Sequence, residues 1–265
     1  MIKEAFEFLL TPTTPLARRY GFLYQSISLK HRYERCKKKW IPHLKNCQDL
    51  FLENITGLPK KDHVIILGSA HLHEIPFHLL IQNFQKITLV DIIHPLKHHL
   101  LAKRHKNLEL VTLDLSGALD ELENIETYEQ LLSLAQQLHD KELFRFEADL
   151  IVSGNMLSQL ALMPIEQIEK ELQRPLTLEE KDALCTSFAE NHLKNLDACK
   201  GRKLVYCDRR ITYRSPKNEI IYEGAYPVDF TGFTFIKDWM WELAPQGEAS
   251  KEYAIEMKVE AYKKD

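Results

Sequence analysis

Short apolar runs that alternate with longer amphipathic segments constrain the fold of this sequence more than any other feature. Each run is nearly continuous in aliphatic residues, as in strands that are buried on both faces. Five runs of this kind are predicted to be strands: residues 64–68, 87–91, 108–113, 148–153 and 203–207. The helical patterns between them predict right-handed β–α–β units and therefore a parallel sheet.

The helical segments and the end of the chain complete the predicted fold. Helices are predicted at residues 76–83, 95–104, 128–141 and 164–174, and from Thr177 onward. Thr177 and Glu180 form the pattern of a capping box, which marks that last helix start. Residues 234–243 and 253–262 are predicted to form an antiparallel hairpin. The expected architecture is an α/β, Rossmann-like, mostly parallel seven-stranded sheet with a C-terminal antiparallel hairpin and an N-terminal helical segment.

A strongly basic segment precedes the first strand. Residues 12–57 show helical spacing of their apolar residues, and Pro42 predicts a break there. Residues 16–45 contain nine Lys and Arg residues and one acidic residue, a local charge of nine minus one, or +8, in a chain of net charge −3. We therefore expect residues 1–57 to form a basic helical segment and residues 58–265 to form the Rossmann-like domain.

Three interpretations of the basic segment are open. With the aromatic residues interleaved among its charges, it would bind nucleic acid. Its charges would otherwise form one solvated helix face above an aromatic core face. The third interpretation is implied by resemblance to small-molecule enzymes in which a helical N-terminal segment covers the cofactor as a lid, and Arg18, Arg19 or Arg32 would then hold an anionic substrate.

Composition indicates a protein of the cytoplasm. The 265 residues are 45% hydrophobic and 28% charged, which is ordinary for a globular domain with a real core. Five widely spaced cysteines without a CxxC motif argue against a disulfide framework. No apolar run approaches the roughly 20 residues of a membrane helix. Acidic residues within residues 1–10 argue against a signal peptide.

Polar and small residues follow the predicted strands at the edge where ligands of such sheets bind. The carboxyl ends of parallel strands form the ligand crevice of open α/β sheets. Gly68, Asp91 and Asp114 close the first three strands, and residues 153–159 follow the fourth. Small residues after the first strand let the backbone approach a ligand closely.

Five β–α units followed by an antiparallel hairpin resemble the sheet plan of class I S-adenosylmethionine-dependent methyltransferases. In that family the loop after the first strand reads acidic-x-Gly-x-Gly-x-Gly. Here Ile66 stands at the acidic position, Gly68 is kept, and Ala70 and Leu72 stand at the other two glycine positions. The strings 67–72 and 87–94 resemble a bacterial group with a methyltransferase-like fold and a degenerate glycine loop.

The resemblance implies S-adenosylmethionine as cofactor and assigns residues to it. The loop of Gly68, Ser69 and Ala70 would take the methionine portion, with a simple strand-to-helix turn as the alternative. Asp91, with Ile92 beside it, would hold the ribose; the alternative is a helix cap. Asp114, with Leu115 beside it, would accept from the adenine amino group; the alternative is a turn aspartate.

Three residues are candidates for the chemistry itself. Asn155 would lie beside the reactive methyl, with Gln159 near it; a turn asparagine is the alternative. His73 and Glu74 are candidate general bases. His71, His73 and His94 would lie near the ends of the first two strands, but this spacing is weak evidence and we expect no metal.

The expected function is methyl transfer to an oxygen or nitrogen atom of a small molecule. One alternative is a binding or scaffold protein that kept the fold without turnover, which Ile66 and Leu72 favour. A second is a nucleic-acid methyltransferase that uses the basic segment. A nicotinamide-dependent oxidoreductase is disfavoured because Ala70 and His73 occupy glycine positions of its motif. We expect no membrane association, and the oligomeric state is left open.

Overall fold

The structure is a computed structural model that describes residues 10–265. The expectation about a signal peptide therefore falls on residues that lie outside the described part, apart from Leu10. Seven helices are described: α1 (Pro15–Arg19), α2 (Phe22–Thr56), α3 (Phe77–Asn83), α4 (Leu96–Arg104), α5 (Tyr128–Leu138), α6 (Leu162–Leu172) and α7 (Leu178–Ala198). A single 3₁₀ turn covers Leu122–Asn124.

Eight strands form one sheet. They are β1 (His63–Leu67), β2 (Lys86–Asp91), β3 (Leu108–Thr112), β4 (Glu147–Gly154), β5 (Lys200–Arg214), β6 (Ile220–Ala225), β7 (Thr234–Ala244) and β8 (Ala254–Lys264). Their order is β3-β2-β1-β4-β5-β8-β7, and β6 pairs with β5 outside this path. Strands β1 to β5 are parallel, whereas β6, β7 and β8 pair antiparallel. The predicted Rossmann-like α/β class with its C-terminal hairpin is confirmed.

Strand β6 is the one strand that the sequence analysis missed. It pairs with the distal part of β5, which continues to Arg214 instead of ending at Cys207. Five of the six residues of β6 are exposed and the sixth is half-buried. Its sequence offers an apolar run of only three residues, Ile220 to Tyr222, which is shorter than the run of about four to eight that marks a buried strand.

The break predicted at Pro42 is also wrong. Helix α2 runs without interruption through Pro42, whose side chain is exposed. On the opposite face Trp40, Leu44 and Cys47 are buried in the layer between α2 and the sheet. Burial of this face outweighs the one backbone hydrogen bond that proline removes, since most helical stability comes from tertiary packing.

Two hydrophobic layers enclose the sheet. Ile65 and Leu67 point into the layer shared with α5, α6 and α7. Val64 and Ile66 point into the opposite layer, which α2, α3 and the C-terminal hairpin complete. The capping box of Thr177 and Glu180 is present at the start of α7, as predicted. Within the described residues, no helix combines the length and the apolar character that crossing a bilayer requires.

Candidate functional site

A cleft of about 460 Å³ opens at the carboxyl ends of β1, β2 and β4, where the first half of α2 covers it. Its volume lies within the usual range for small-molecule sites. All ten residues selected from the sequence line it: Gly68, Ser69, Ala70, His73, Glu74, Asp91, Ile92, Asp114, Leu115 and Asn155. Helix α2 contributes Phe22, Gln25, Leu29 and Arg32. This position of α2 is the one that the lid interpretation predicts.

The loop after β1 has a left-handed backbone at all three positions that correspond to the family's glycines. The φ angles are 76° at Gly68, 38° at Ala70 and 60° at Leu72. A left-handed conformation costs a residue with a side chain about 1–2 kcal/mol. The loop therefore keeps a glycine-type conformation at two positions where glycine is absent.

Gly68 also permits a close approach between loops. A Cβ atom at this position would lie 3.0 Å from the Met156 sulfur and 3.2 Å from the Gly154 carbonyl oxygen. The two loops after β1 and β4 consequently meet at the floor of the cleft. Ile66, at the acidic position of the family motif, is fully buried in the core and offers the cleft no charge.

Asp91 joins β2 to the glycine-type loop. Its Oδ2 atom accepts a hydrogen bond of 2.7 Å from the Ala70 backbone N–H, and its Oδ1 atom accepts one of 3.3 Å from the Ile93 N–H. Burial raises the pKa of Asp91, and the N–H donors oppose this rise. Helix α4 begins without a side-chain cap, so Asp91 does not cap it. Each carboxylate oxygen has a further lone pair with which to accept from a ligand hydroxyl.

Asp114 makes the contacts of a turn aspartate. Its Oδ1 atom accepts from the Ser116 N–H (2.9 Å) and from the Ser116 hydroxyl (2.6 Å). Its Oδ2 atom accepts from the Leu119 N–H at 2.9 Å. The carboxylate therefore organises the loop after β3. Its contact with adenine remains a prediction that would use the remaining lone pair of Oδ2.

Asn155 makes the contacts of a turn asparagine. Its φ angle is 47°, and its side-chain oxygen accepts from the Asp208 N–H at 3.1 Å. The backbone carbonyl oxygen of Asn155 accepts a hydrogen bond from the Gln159 side-chain amide at 2.8 Å. The side-chain oxygen of Asn155 is thus already hydrogen-bonded to the backbone of β5, and the catalytic role of Asn155 stays a prediction.

His73 is a weak base in this environment. Burial lowers its pKa to about 4. Its ring stacks on that of Tyr33 in α2 at a centroid distance of 3.7 Å. The lowered pKa makes His73 a poor acceptor of protons at neutral pH.

Glu74 lies in a network that we call the floor cluster: His43, Glu74, Tyr206 and Asp208. The His43 Nε2 atom lies 3.0 Å from Glu74 Oε1. Burial, and then the charge of Glu74, raises the pKa of Tyr206. Burial, and then the charge of Glu74, raises the pKa of Asp208 to about 7. His43, Tyr206 and Asp208 belong to no motif, and sequence reasoning missed them. Asp208 does follow the apolar run of the fifth predicted strand, which is a signal that would have found it.

The protonation of His43 follows from its other neighbour. Trp239 donates its indole N–H to His43 Nδ1 at 2.9 Å, so Nδ1 carries no proton. In the neutral ring, Nε2 then bears the proton and donates it to Glu74. This tautomer also bears on metal binding. His43, Cys47 and Glu74 are the one group in the described residues with ligand atoms within 4.8 Å of one another, but a protonated Nε2 has no lone pair for a metal.

The three histidines considered for a metal do not converge. His94 Nε2 lies 3.0 Å from the Val111 carbonyl oxygen, and His71 Nε2 lies 2.7 Å from the Ser26 carbonyl oxygen. These contacts, with the stacking of His73 on Tyr33, point the three rings at different partners.

Much of the basic charge on α2 is neutralised by neighbouring carboxylates. Arg35 makes a two-pronged ion pair with Glu248, with a shortest distance of 2.7 Å. Lys39 pairs with Glu242 at 3.0 Å, also in the C-terminal hairpin. These pairs anchor α2 to the sheet. They favour the solvated-face and lid interpretations over nucleic-acid binding.

Comparisons with known proteins give similarities of fold. No protein-family model matches the chain, and no curated protein matches it. Among solved structures, 1,6-didemethyltoxoflavin-N1-methyltransferase of Burkholderia thailandensis is 11% identical, with 96% of this chain and 92% of that chain covered and a TM-score of 0.42. N-methyltransferase NodS of Bradyrhizobium japonicum WM9 is 9% identical, with 83% and 86% covered and a TM-score of 0.38.

A putative RNA methyltransferase of Pyrococcus horikoshii is 12% identical, with 82% and 81% covered and a TM-score of 0.39. The first two structures contain S-adenosylhomocysteine. All three structures are at most 12% identical to this chain, with TM-scores of 0.38 to 0.42.

Proposed function

We propose that this protein is an S-adenosylmethionine-dependent methyltransferase that acts on an oxygen or nitrogen atom of a small molecule. The observation that carries the proposal is the left-handed backbone at Gly68, Ala70 and Leu72 beside Asp91. Strain of this kind persists only where surrounding contacts hold it, and it concentrates at ligand sites. A loop that served only as a turn would need one such position.

The residues of the cleft fit the proposed cofactor. The Ser69 hydroxyl is buried and lines the cleft, and among residues 10–265 it has no hydrogen-bond partner, so it suits a hydrogen bond to the methionine portion. The free lone pairs of Asp91 suit a ribose diol. Ile92 and Leu115 provide apolar walls for adenine. When bound, S-adenosylmethionine supplies a methyl group that a sulfonium makes electrophilic.

The chain's own contribution is orientation and exclusion of water. Alignment of a nucleophile with the methyl group accounts for much of the acceleration in reactions of this type. Helix α2 closes one side of the cleft through Phe22, Leu29 and the Tyr33–His73 stack, which limits the size of the acceptor. This enclosure, with the paired charges of α2, favours a small molecule over a nucleic acid.

Thermal unfolding with S-adenosylhomocysteine tests the proposal. A ligand at 100 times its dissociation constant stabilises the native state by about 2.7 kcal/mol, which raises the melting temperature by several degrees. We expect this rise with S-adenosylhomocysteine and none with NAD. No rise at millimolar S-adenosylhomocysteine would favour the alternative of a scaffold without turnover.

A further inference from the structure

Glu74 reaches the cleft from a position where a fixed donor holds its carboxylate. Its side chain is 18% exposed, and it lines the cleft. The His43 N–H donates to its carboxylate, and the charge of that carboxylate, after burial, raises the pKa of Tyr206. His43 is fully buried, and Trp239 fixes its tautomer from behind. Such a carboxylate is oriented before any ligand arrives.

Gly154 leaves room for the Tyr206 side chain below the cleft. A Cβ atom at Gly154 would lie 2.5 Å from the Tyr206 hydroxyl oxygen. The absent side chain therefore lets the hydroxyl lie against the end of β4. Gly154 lines the cleft, so the floor cluster lies directly under the ligand space.

The charges around the cleft select against an anionic acceptor. Apart from two histidines, its titratable lining residues are three carboxylates and one guanidinium: Glu74, Asp91, Asp114 and Arg32. Arg32 lies 3.9 Å from Glu248, a carboxylate that is already paired with Arg35, so the charge of Arg32 is only partly offset. Trp40 and Trp241 are also lining residues, although both are almost fully buried. A negatively charged carboxylate in such a cleft favours an organic ammonium group over an anion.

A second buried carboxyl group adjoins Glu74. Asp208 is 5% exposed, and its Oδ1 atom has no hydrogen-bond partner in the described structure. The Ser158 hydroxyl donates to its Oδ2 atom at 3.3 Å. An unsatisfied buried carboxyl oxygen costs free energy, and such groups are retained mainly where a proton or ligand is handled.

We propose that the methyl acceptor is an amine and that Glu74 binds its ammonium group and orients its nitrogen. The ammonium group releases one N–H proton to solvent, and the nitrogen keeps the electron pair of that bond. This electron pair would form the bond to the methyl group that bound S-adenosylmethionine would supply, and the C–S electron pair would stay with sulfur. His43 and Tyr206 act as positioning residues. This inference deepens the proposed methyl transfer and rests on it.

Ligand-observed NMR titrations with benzylamine, benzyl alcohol and benzoate test the amine site, since the three probes share one ring and differ in charge. We expect the wild-type protein to bind benzylamine at least 10-fold more tightly than either of the others. Glu74→Gln should lower the benzylamine affinity at least 10-fold. Glu166→Gln, an exposed carboxylate paired with Lys170 in α6, is the matched control and should leave it unchanged.

Equal affinity for the three probes, no benzylamine binding, or unchanged binding in Glu74→Gln would each overturn the amine site. If Glu74→Gln does not fold, the preference of the wild-type protein for benzylamine over benzyl alcohol and benzoate still tests the amine site. A parallel titration with S-adenosylhomocysteine separates the two proposals. Cofactor binding without amine selectivity overturns the amine site alone, and amine selectivity without cofactor binding overturns methyl transfer alone.

Discussion

At the scale of single residues, Ala70 shows how this chain keeps a glycine-type loop without its glycines. Its φ of 38° is left-handed, its side chain is exposed, and its N–H is bonded to Asp91. The strain thus lies in the backbone, and the Asp91 contact offsets it. The sequence identified the position, but the conformation follows from a hydrogen bond to a residue 21 positions away.

Ala70→Gly should raise the free energy of unfolding by about 0.5–1 kcal/mol. Glycine removes the left-handed strain at this position, which is about 1–2 kcal/mol. It also makes the unfolded chain more flexible, which costs about 0.4–1 kcal/mol, so the net effect is stabilising. Urea unfolding measures the change. Ala102→Gly, within helix α4, is the control and should cost about 1 kcal/mol. If Ala70→Gly lowered the free energy of unfolding as much as Ala102→Gly does, the loop would be unstrained.

Asp208 predicts a pH dependence of stability. Its pKa is raised from 3.8 to about 7 by burial. Between these values the folded protein holds a proton that the unfolded chain has released, so this group's contribution lowers stability as pH rises, by at most about 1.4 kcal/mol per pH unit. Asp208→Asn removes this titration, and the variant's stability relative to wild type should increase from about pH 4 to about pH 7 and then level off.

Urea unfolding at about pH 4.5 and about pH 7.5 checks this difference. Asp140→Asn, at an exposed position in the turn after α5, serves as the control, and its difference from wild type should not grow with pH in the same way. If the free energies of unfolding of Asp208→Asn and wild type differed by the same amount at both pH values, the raised pKa of Asp208 would be contradicted.

At the scale of elements, helix α2 is the part of the fold that sequence patterns described least well. Its helical period was recognised, but Pro42 suggested two helices. Tertiary packing outweighs the helix-breaking tendency of proline here, because the buried face of α2 packs against the same hydrophobic layer before and after Pro42. The missing N–H leaves the Lys38 carbonyl oxygen without its usual helical partner on an exposed face.

Pro42→Ala should therefore stabilise the protein, by up to about 3 kcal/mol if the helix is already straight. The substitution restores the hydrogen bond to Lys38 and removes the clash of the proline ring. Ile41→Ala is the neighbouring control. Ile41 is 55% exposed, and its substitution should change the free energy of unfolding by no more than about 0.5 kcal/mol. If Pro42→Ala were no more stable than the wild type, the helix would be kinked at Pro42 in solution.

At the scale of the whole molecule, the sheet was predictable chiefly because the parallel strands β1, β2 and β4 are largely buried on both faces. Strands buried in this way have nearly continuous apolar sequences, and the ends of these runs indicate the edge where ligands bind. The floor cluster was not predictable in the same way. His43 comes from α2, Glu74 follows β1 and Tyr206 belongs to β5, so only tertiary structure brings them together.

The central claim is that the cleft binds S-adenosylmethionine through the loop after β1 and Asp91. A calorimetric titration with S-adenosylhomocysteine, repeated with Asp91→Ala and with the exposed control Asp140→Ala, tests it most directly. The account predicts binding in the micromolar range for the wild type and the control, and its loss in Asp91→Ala. Absence of binding to the wild type, or equal binding in Asp91→Ala, would contradict the account.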